Sequence, residues 1–262
     1  MNITVLLKIV SKTHFTDALD APKERLSSGQ LTINPADAYA LENALRIKDR
    51  DPGTVVTVLT MSPPVAEFYL RHALAMGADR AVHICDGSLA GSDTLATAKC
   101  LAAAVRLLPP QDLILCGQKA IDSETGHIGP ELSVLLDMPC VTNVLLFEPD
   151  GNGLKVQRLQ ETGLVNLECP AGAVLSVCRG VAMIREPGIL DIRQAAKKGI
   201  EVLTGDRLGL DPESVGLKGS PTRVIRTRPI GHSGRDGWKS SDASEGAGMI
   251  AELLRKGGER DA

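Results

Sequence analysis

Asp112–Leu136 reads DLILCGQKAIDSETGHIGPELSVLL, and its pattern decides the fold. Leu113–Cys116 is an unbroken apolar run of the kind that forms a buried strand. Gly117 breaks the run, and a polar segment follows from Gln118 to His127. After Pro130 the pattern turns helical, with Leu132, Val134, Leu135 and Leu136 as its apolar face. A strand, a glycine-containing turn and a helix start leave backbone N–H groups pointing beyond the strand end. Ligands of open α/β sheets bind at that edge. The stretch is therefore expected to hold an anionic, phosphate-bearing group.

Working outward, the same alternation recurs. Ile3–Val10 is β-rich, and Ser11–Gln30 is a long polar connection. In LTINP, Asn34 is placed to cap a helix whose first position is Pro35, with Asp37 as capping partner and Ala38, Leu41, Ala44 and Leu45 as apolar stripe. Thr54–Thr60 is a strand, and Ser62 is a candidate cap for the helix that stops at Gly77. Arg80–Ile84 is a third strand, and an Ala-rich helix runs from Ser92 to about Leu108. Strands alternating with helices predict a right-handed, doubly wound parallel α/β sheet. Val141–Phe147, Leu154–Gln160 and Leu164–Cys169, separated by turn residues, predict an antiparallel addition, and Ala173–Cys178 a further strand. Ile189–Lys198 reads as a short helix with a basic end. Arg226–Gly246 reads as a linker or extended arm before an amphipathic helix, Ala247–Lys256. The expected division is an α/β domain over 1–205 and a C-terminal arm with terminal helix over 206–262.

Composition narrows the function. The 262 residues are 43% hydrophobic, enough for one large core. A formal charge of −3 and 2% aromatics argue against nucleic-acid binding. Six cysteines without a C-x-x-C pair read as reduced thiols, most of them in apolar runs. No run reaches membrane-spanning length and none at the start reads as a signal peptide, so a cytoplasmic protein that is not integral to a membrane is expected. The five histidines are scattered, which disfavours a metal site. His127 has no nucleophile arrangement around it.

Several stretches together resemble the beta subunit of electron transfer flavoproteins: INPADAYALENALRIK (33–48), VLTMSP (58–63), ALAMGADRAVHI (73–84), GSDTLATA (91–98), the opening stretch through Leu132, and REPGILDIRQAAKKGIEV (185–202). The resemblance covers roughly residues 1–205. It implies an adenine-nucleotide-binding α/β fold that works with an alpha subunit, which holds the redox FAD. It also implies a second nucleotide in this chain, AMP in simple carriers or FAD in bifurcating members. The implied contacts are Leu6, Asn34, Pro35, Ala36, Asp37 and Met61, then Gly117, Gln118, Lys119, Ala120, Ile121, Asp122, Ser123, Glu124, Thr125, Gly126, His127 and Ile128. Residue type assigns the roles: Leu6 and Met61 wall the adenine, and Asn34 caps its helix while bonding base or ribose. The amides of 123–128 cradle phosphate, and Asp122 and Glu124 accept from ribose or amides. Small residues within Thr125–Pro130 resemble the roomier, FAD-holding pattern; AMP remains the alternative. Ile189 or Leu190 would anchor a partner, an acyl-CoA or related flavin dehydrogenase. No residue here reads as catalytic, so the resemblance implies a carrier, with NADH oxidation by flavin only if it bifurcates. The alternative function is a stand-alone adenine-nucleotide-binding regulatory module.

Overall fold

The computed structural model describes residues 1–11, 31–180, 183–225 and 242–258. The chain forms two compact units, Met1–Thr227 and Arg228–Ala262.

The first unit is built on a nine-stranded sheet. Its parallel strands are β1 (Asn2–Leu6), β4 (Val55–Met61), β5 (Arg80–Ile84), β6 (Leu113–Gly117), β7 (Cys140–Asp150), β10 (Ala173–Val177) and β11 (Ile200–Leu203). β8 (Gly153–Gln160) and β9 (Gly163–Pro170) extend β7 antiparallel, giving the order β11-β5-β4-β1-β6-β10-β7-β8-β9. β1 is central, with Leu6 opposite Leu59 of β4 and Val5 opposite Leu115 of β6. A separate ribbon pairs β2 (Ile9–Ser11) with β3 (Leu31–Ile33).

Both faces of the sheet are covered, which is why its strands are apolar without alternation. Ile3, Val5, Val56, Val58, Leu113 and Leu115 pack under α1 (Pro35–Arg50) and α2 (Ala66–Met76). The intervening side chains Leu6, Leu59, Val82, Ile84 and Ile114 face α3 (Thr94–Arg106) and α4 (Ile128–Leu136). α5 (Ile189–Ala195) packs on α2. After β11 a short helix, α6 (Gly205–Leu208), leads into a strap. There the Ser220 hydroxyl accepts from the Asp93 amide, and the Thr222 amide and hydroxyl donate to the Asp93 carboxylate. In the second unit, α7 (Ala243–Gly258) exposes Ile250, Leu253 and Leu254.

The doubly wound sheet and its antiparallel addition match the expectation. Several local readings do not. The strand read over Ile3–Val10 splits at Leu7–Lys8, because the Lys8 amide turns to the Asp37 carboxylate and the Lys8 carbonyl accepts from the Asn34 amide. Ser62 caps nothing; its hydroxyl bonds Thr60 Oγ1, and α2 begins without a side-chain cap. α3 starts two residues later than expected, at Thr94, capped by Asp93, and Asp93 rather than Ser92 accepts the Ala96 amide. α4 begins at Ile128, ahead of Pro130, and Val134 is exposed while Leu132 is buried. β11 was not anticipated: of its four residues only Leu203 is buried, too weak a pattern to stand out. α7 starts at Ala243, four residues ahead of the expected terminal helix. The connection 12–30 and arm residues 226–241 lie outside the described residues.

Candidate functional site

Chain connectivity reverses direction between β1 and β6. From β1 the chain passes through α1 to β4 and then through α2 to β5, on one face. From β6 it passes through α4 to β7 on the other face. The carboxyl ends of β1 and β6 therefore flank a topological switch point, where open α/β sheets leave a crevice. Leu6, Gly117 and the bend 118–127 are all delivered there.

Buried Asp37 ties the floor together. Its carboxylate accepts the Lys8 amide at 2.7 Å and the Gly117 amide at 2.8 Å, joining α1 to both strand ends. Burial pushes its pKa up to about 6, against the pull of the Lys8 amide, the Asn34 side chain, the Gly117 amide and the Lys8 charge. Gly117 is required by this packing. A Cβ there would lie 2.7 Å from Ala36 Cβ and 2.9 Å from the Ala36 carbonyl carbon, and would press on Asp37 Oδ1. The close approach that the glycine permits is thus to the first turn of α1.

Asn34 is almost wholly buried and makes no cap bond. Its amide nitrogen donates to the Lys119 carbonyl at 3.1 Å, and its oxygen accepts the Ile121 amide at 3.2 Å. Both ends of the side chain hold the bend. Pro35 opens α1 and Ala36 packs beneath Gly117. The Gln118 amide donates to the Val177 carbonyl, and its side chain donates to Asn143 Oδ1 at 2.7 Å. Asn143 lies in β7 with a left-handed φ of 58°, beside the register shifts where that strand passes from parallel to antiparallel pairing. The Ala120 carbonyl accepts the Glu124 amide. Asp122 pairs with Lys8 Nζ at 2.6 Å, and Ser123 Oγ is 3.4 Å from the same ammonium. Glu124 pairs with Lys119 at 3.0 Å. Leu6, Met61 and Ile128 meet in the core cluster under α3 and α4.

The second half of the bend is different. Glu124 and Gly126 adopt φ of 51° and 69°, and left-handed residues alternating with ordinary ones turn successive amides to one side. Among the described residues, no acceptor meets the amides of Thr125, Gly126, His127, Ile128 and Gly129. The last two belong to the first turn of α4, whose dipole adds positive potential.

Ile189 and Leu190 are not part of this constellation. They stand on α5, 87% and 70% exposed. Arg185 ties the preceding segment to α1, contacting Glu42 at 2.9 Å and Asp49 at 2.7 Å, while Arg46 donates to the Met183 carbonyl. Burial opposes ionisation of Glu42, but the Arg185 and Arg46 guanidiniums outweigh it and hold the carboxyl below its ordinary value. All six cysteines are free; Cys85 and Cys140 are half-buried and the rest buried. Burial pushes the Cys116 thiol far up.

Sequence reasoning missed two groups around the crevice. Lys8 was hidden within an apolar run, where a lone cation reads as an edge residue. Asn143 had no pattern, since only the bulge gives it a role.

Comparison with known proteins agrees with this architecture. The family model of the electron transfer flavoprotein domain matches residues 26–208. Electron transfer flavoprotein subunit beta of Thermoanaerobacterium thermosaccharolyticum is 41% identical over 229 residues, 87% of each chain. The caffeyl-CoA reductase-Etf complex subunit CarD of Acetobacterium woodii is 36% identical over 225 residues, 86% of each chain. Protein FixA of Azotobacter vinelandii is 39% identical over 201 residues, 74% of this chain and 71% of its own. The chain belongs to the electron transfer flavoprotein beta-subunit family.

Proposed function

We propose that this chain is the beta subunit of an alpha–beta electron carrier and that it holds an adenine nucleotide, FAD or AMP, in the crevice between β1 and β6. The observation that carries this reading is the run of amides from Thr125 to Gly129, at the carboxyl end of β6, that meet no acceptor among the described residues. Five N–H donors at one turn suit the oxygens of a phosphate, and nothing in a core strand–helix connection requires them. Lys8 Nζ stands at the same bend, a cation able to exchange Asp122 for a phosphate oxygen. Leu6, Met61 and Ile128 supply an apolar wall on the α3–α4 side for the base. The donor set therefore fits the phosphate and base of such a ligand.

The redox step belongs to flavin, which accepts and passes on electrons when bound. This chain's residues bind, orient and shield. Asn34 and Asp37 act on the bend and on the strand ends rather than on the ligand, because their polar atoms are already taken up by backbone. An alpha subunit completes the carrier in this reading, and Ile189 and Leu190 are the exposed anchors for an acyl-CoA or related flavin dehydrogenase. The A. woodii relative, named as a subunit of a reductase–Etf complex, supports that kind of assembly. Among the described residues no helix is long and apolar enough to cross a membrane, consistent with work in the cytoplasm.

The test is to purify the chain with its alpha subunit, release the ligands by denaturation and quantify them. Two flavins per heterodimer assign FAD to this chain; one flavin with one AMP assigns AMP. A heterodimer that releases one flavin and no second nucleotide refutes the reading.

A further inference from the structure

Among the described residues, three other than glycine adopt a left-handed φ: Glu124, Asp137 and Asn143. Glu124 lies in the bend, and Asp137 ends α4 as its C-cap. Asn143 is at neither a turn nor a cap; it stands inside β7. A left-handed residue in a strand costs energy and persists only where its surroundings require it. Both neighbours are fixed. The Thr142 hydroxyl accepts from Arg158 of β8 at 3.1 Å, and the carbonyl of buried Val144 accepts the Cys178 amide. What the turned backbone gains is one contact: Asn143 Oδ1 accepts from Gln118 Nε2 at 2.7 Å.

Gln118 is the residue against which the anion-binding half of the bend rests. Its amide is tied to the Val177 carbonyl. Its own carbonyl lies close to Gly126, where an added Cβ would stand 3.2 Å from that oxygen. Gly126 belongs to the run of amides that meet no acceptor among the described residues. Asn34 grips the bend at Lys119 and Ile121, while the grip on the Gln118 side chain comes from β7. We propose that Asn143 is a positioning residue of the nucleotide site: it acts through Gln118 rather than on the ligand, and sets the bend in the arrangement that the anion meets. This rests on the nucleotide-binding reading above. A bend that is correctly set for only part of the time binds with a dissociation constant raised by the inverse of that fraction. Loss of one neutral hydrogen bond makes that factor about three- to tenfold.

The test uses the alpha–beta complex stripped of nucleotide and titrated with AMP and with FAD by calorimetry. Asn143→Gly accepts the left-handed backbone and removes the side-chain acceptor. Asn143→Asp keeps an acceptor on a residue that tolerates that backbone. Gln118→Met removes the donor and leaves β7 untouched, so it tests the same contact should the strand not tolerate glycine. Thermal melts of the ligand-free complexes confirm folding. For whichever nucleotide wild type binds more tightly, Asn143→Gly and Gln118→Met each weaken binding by about threefold or more. Asn143→Asp stays within about twofold of wild type, and the double variant is no weaker than Gln118→Met alone, because both changes remove one contact. A part played only in folding would lower the melting temperature of Asn143→Gly and leave its dissociation constant unchanged. Wild-type affinity in Asn143→Gly, a loss in Asn143→Asp equal to that in Asn143→Gly, or additive losses in the double variant overturn the inference and leave the nucleotide-binding reading standing. Failure of wild type to bind either nucleotide overturns both.

Discussion

Replacing Gly117 with alanine tests the packing that sets the crevice floor. The added Cβ would stand 2.7 Å from Ala36 Cβ and 2.9 Å from the Ala36 carbonyl carbon. Ordinary carbon contacts lie at about 3.5–4.0 Å, so roughly 1 Å of room must be found. The obstructing atoms are Asp37 Oδ1, Ala36 Cβ and the Ala36 carbonyl carbon, all in the first turn of α1; Ala36 Cβ moves only with its backbone, and that helix is fixed by Ala40, Leu41, Ala44 and Leu45, all essentially buried. The helix start must therefore shift as a unit, and Asp37 with it. Overpacking of this kind costs about 1–3 kcal/mol. Weakening the Asp37 bonds to the Lys8 and Gly117 amides adds about 1.5–3 kcal/mol, the range for hydrogen bonds to a charged group. The expected loss is about 3–5 kcal/mol, a large part of a typical total of roughly 5–15 kcal/mol. Urea unfolding of the complex, followed by far-ultraviolet circular dichroism, reads it directly. Nucleotide content should fall in parallel, because the same shift moves Asn34, which holds Lys119 and Ile121 of the bend. Ala36→Gly in the Gly117→Ala background removes one of the clashing atoms and should recover part of the loss. A Gly117→Ala protein within about 0.5 kcal/mol of wild type, as for an ordinary surface change, would refute this account of the floor.

Asp37 gives a signature in pH. Its carboxyl is raised from 3.8 to about 6, so the folded state holds a proton that the unfolded state has lost between those values. Its contribution is fully present below pH about 4, is lost as pH rises through about 6, and amounts to about 3 kcal/mol. The stability difference between wild type and Asp37→Asn should shrink by that amount from pH 4 to 7 in urea titrations; a difference that is flat or grows with pH contradicts the burial argument. Arg185→Ala strips Glu42 of a guanidinium partner while leaving it buried beside Arg46, and should cost about 2 kcal/mol with nucleotide content unchanged, read by thermal unfolding and ligand release. Ile189→Asp and Leu190→Asp fall on exposed positions and should leave stability and ligand content intact while slowing electron transfer to the dehydrogenase at least tenfold in a coupled dye assay; unchanged rates would remove α5 as the docking anchor.

The sheet was legible because covered strands carry their signal in plain composition. Runs such as Val55–Met61 and Leu113–Cys116 are apolar on both faces, and each is closed by turn residues. The bend was legible for a similar local reason: Gly117, a polar run and a helix start within a few residues fix where free amides must lie. Side-chain roles within it were not. Asn34 and Asp37 sit at a helix start, where local rules make them caps, and only tertiary contact with Lys8, Gly117 and the bend redirects them. Gly117 was legible only as the break in an apolar run; that it admits the first turn of α1 is a fact set by packing between distant segments. Asn143 gains meaning only from a bulge, which leaves no local pattern.

Amide hydrogen exchange resolved at Thr125, Gly126, His127, Ile128 and Gly129 tests the central claim most directly. Among the described residues these five amides have no acceptor, so in the stripped alpha–beta complex they should exchange rapidly. Restoring the nucleotide should slow them together, by tenfold or more, while Lys155 and Glu168 on the distant β8–β9 ribbon keep their rates. Bound nucleotide with no added protection at these five positions would place the anion elsewhere and contradict the account.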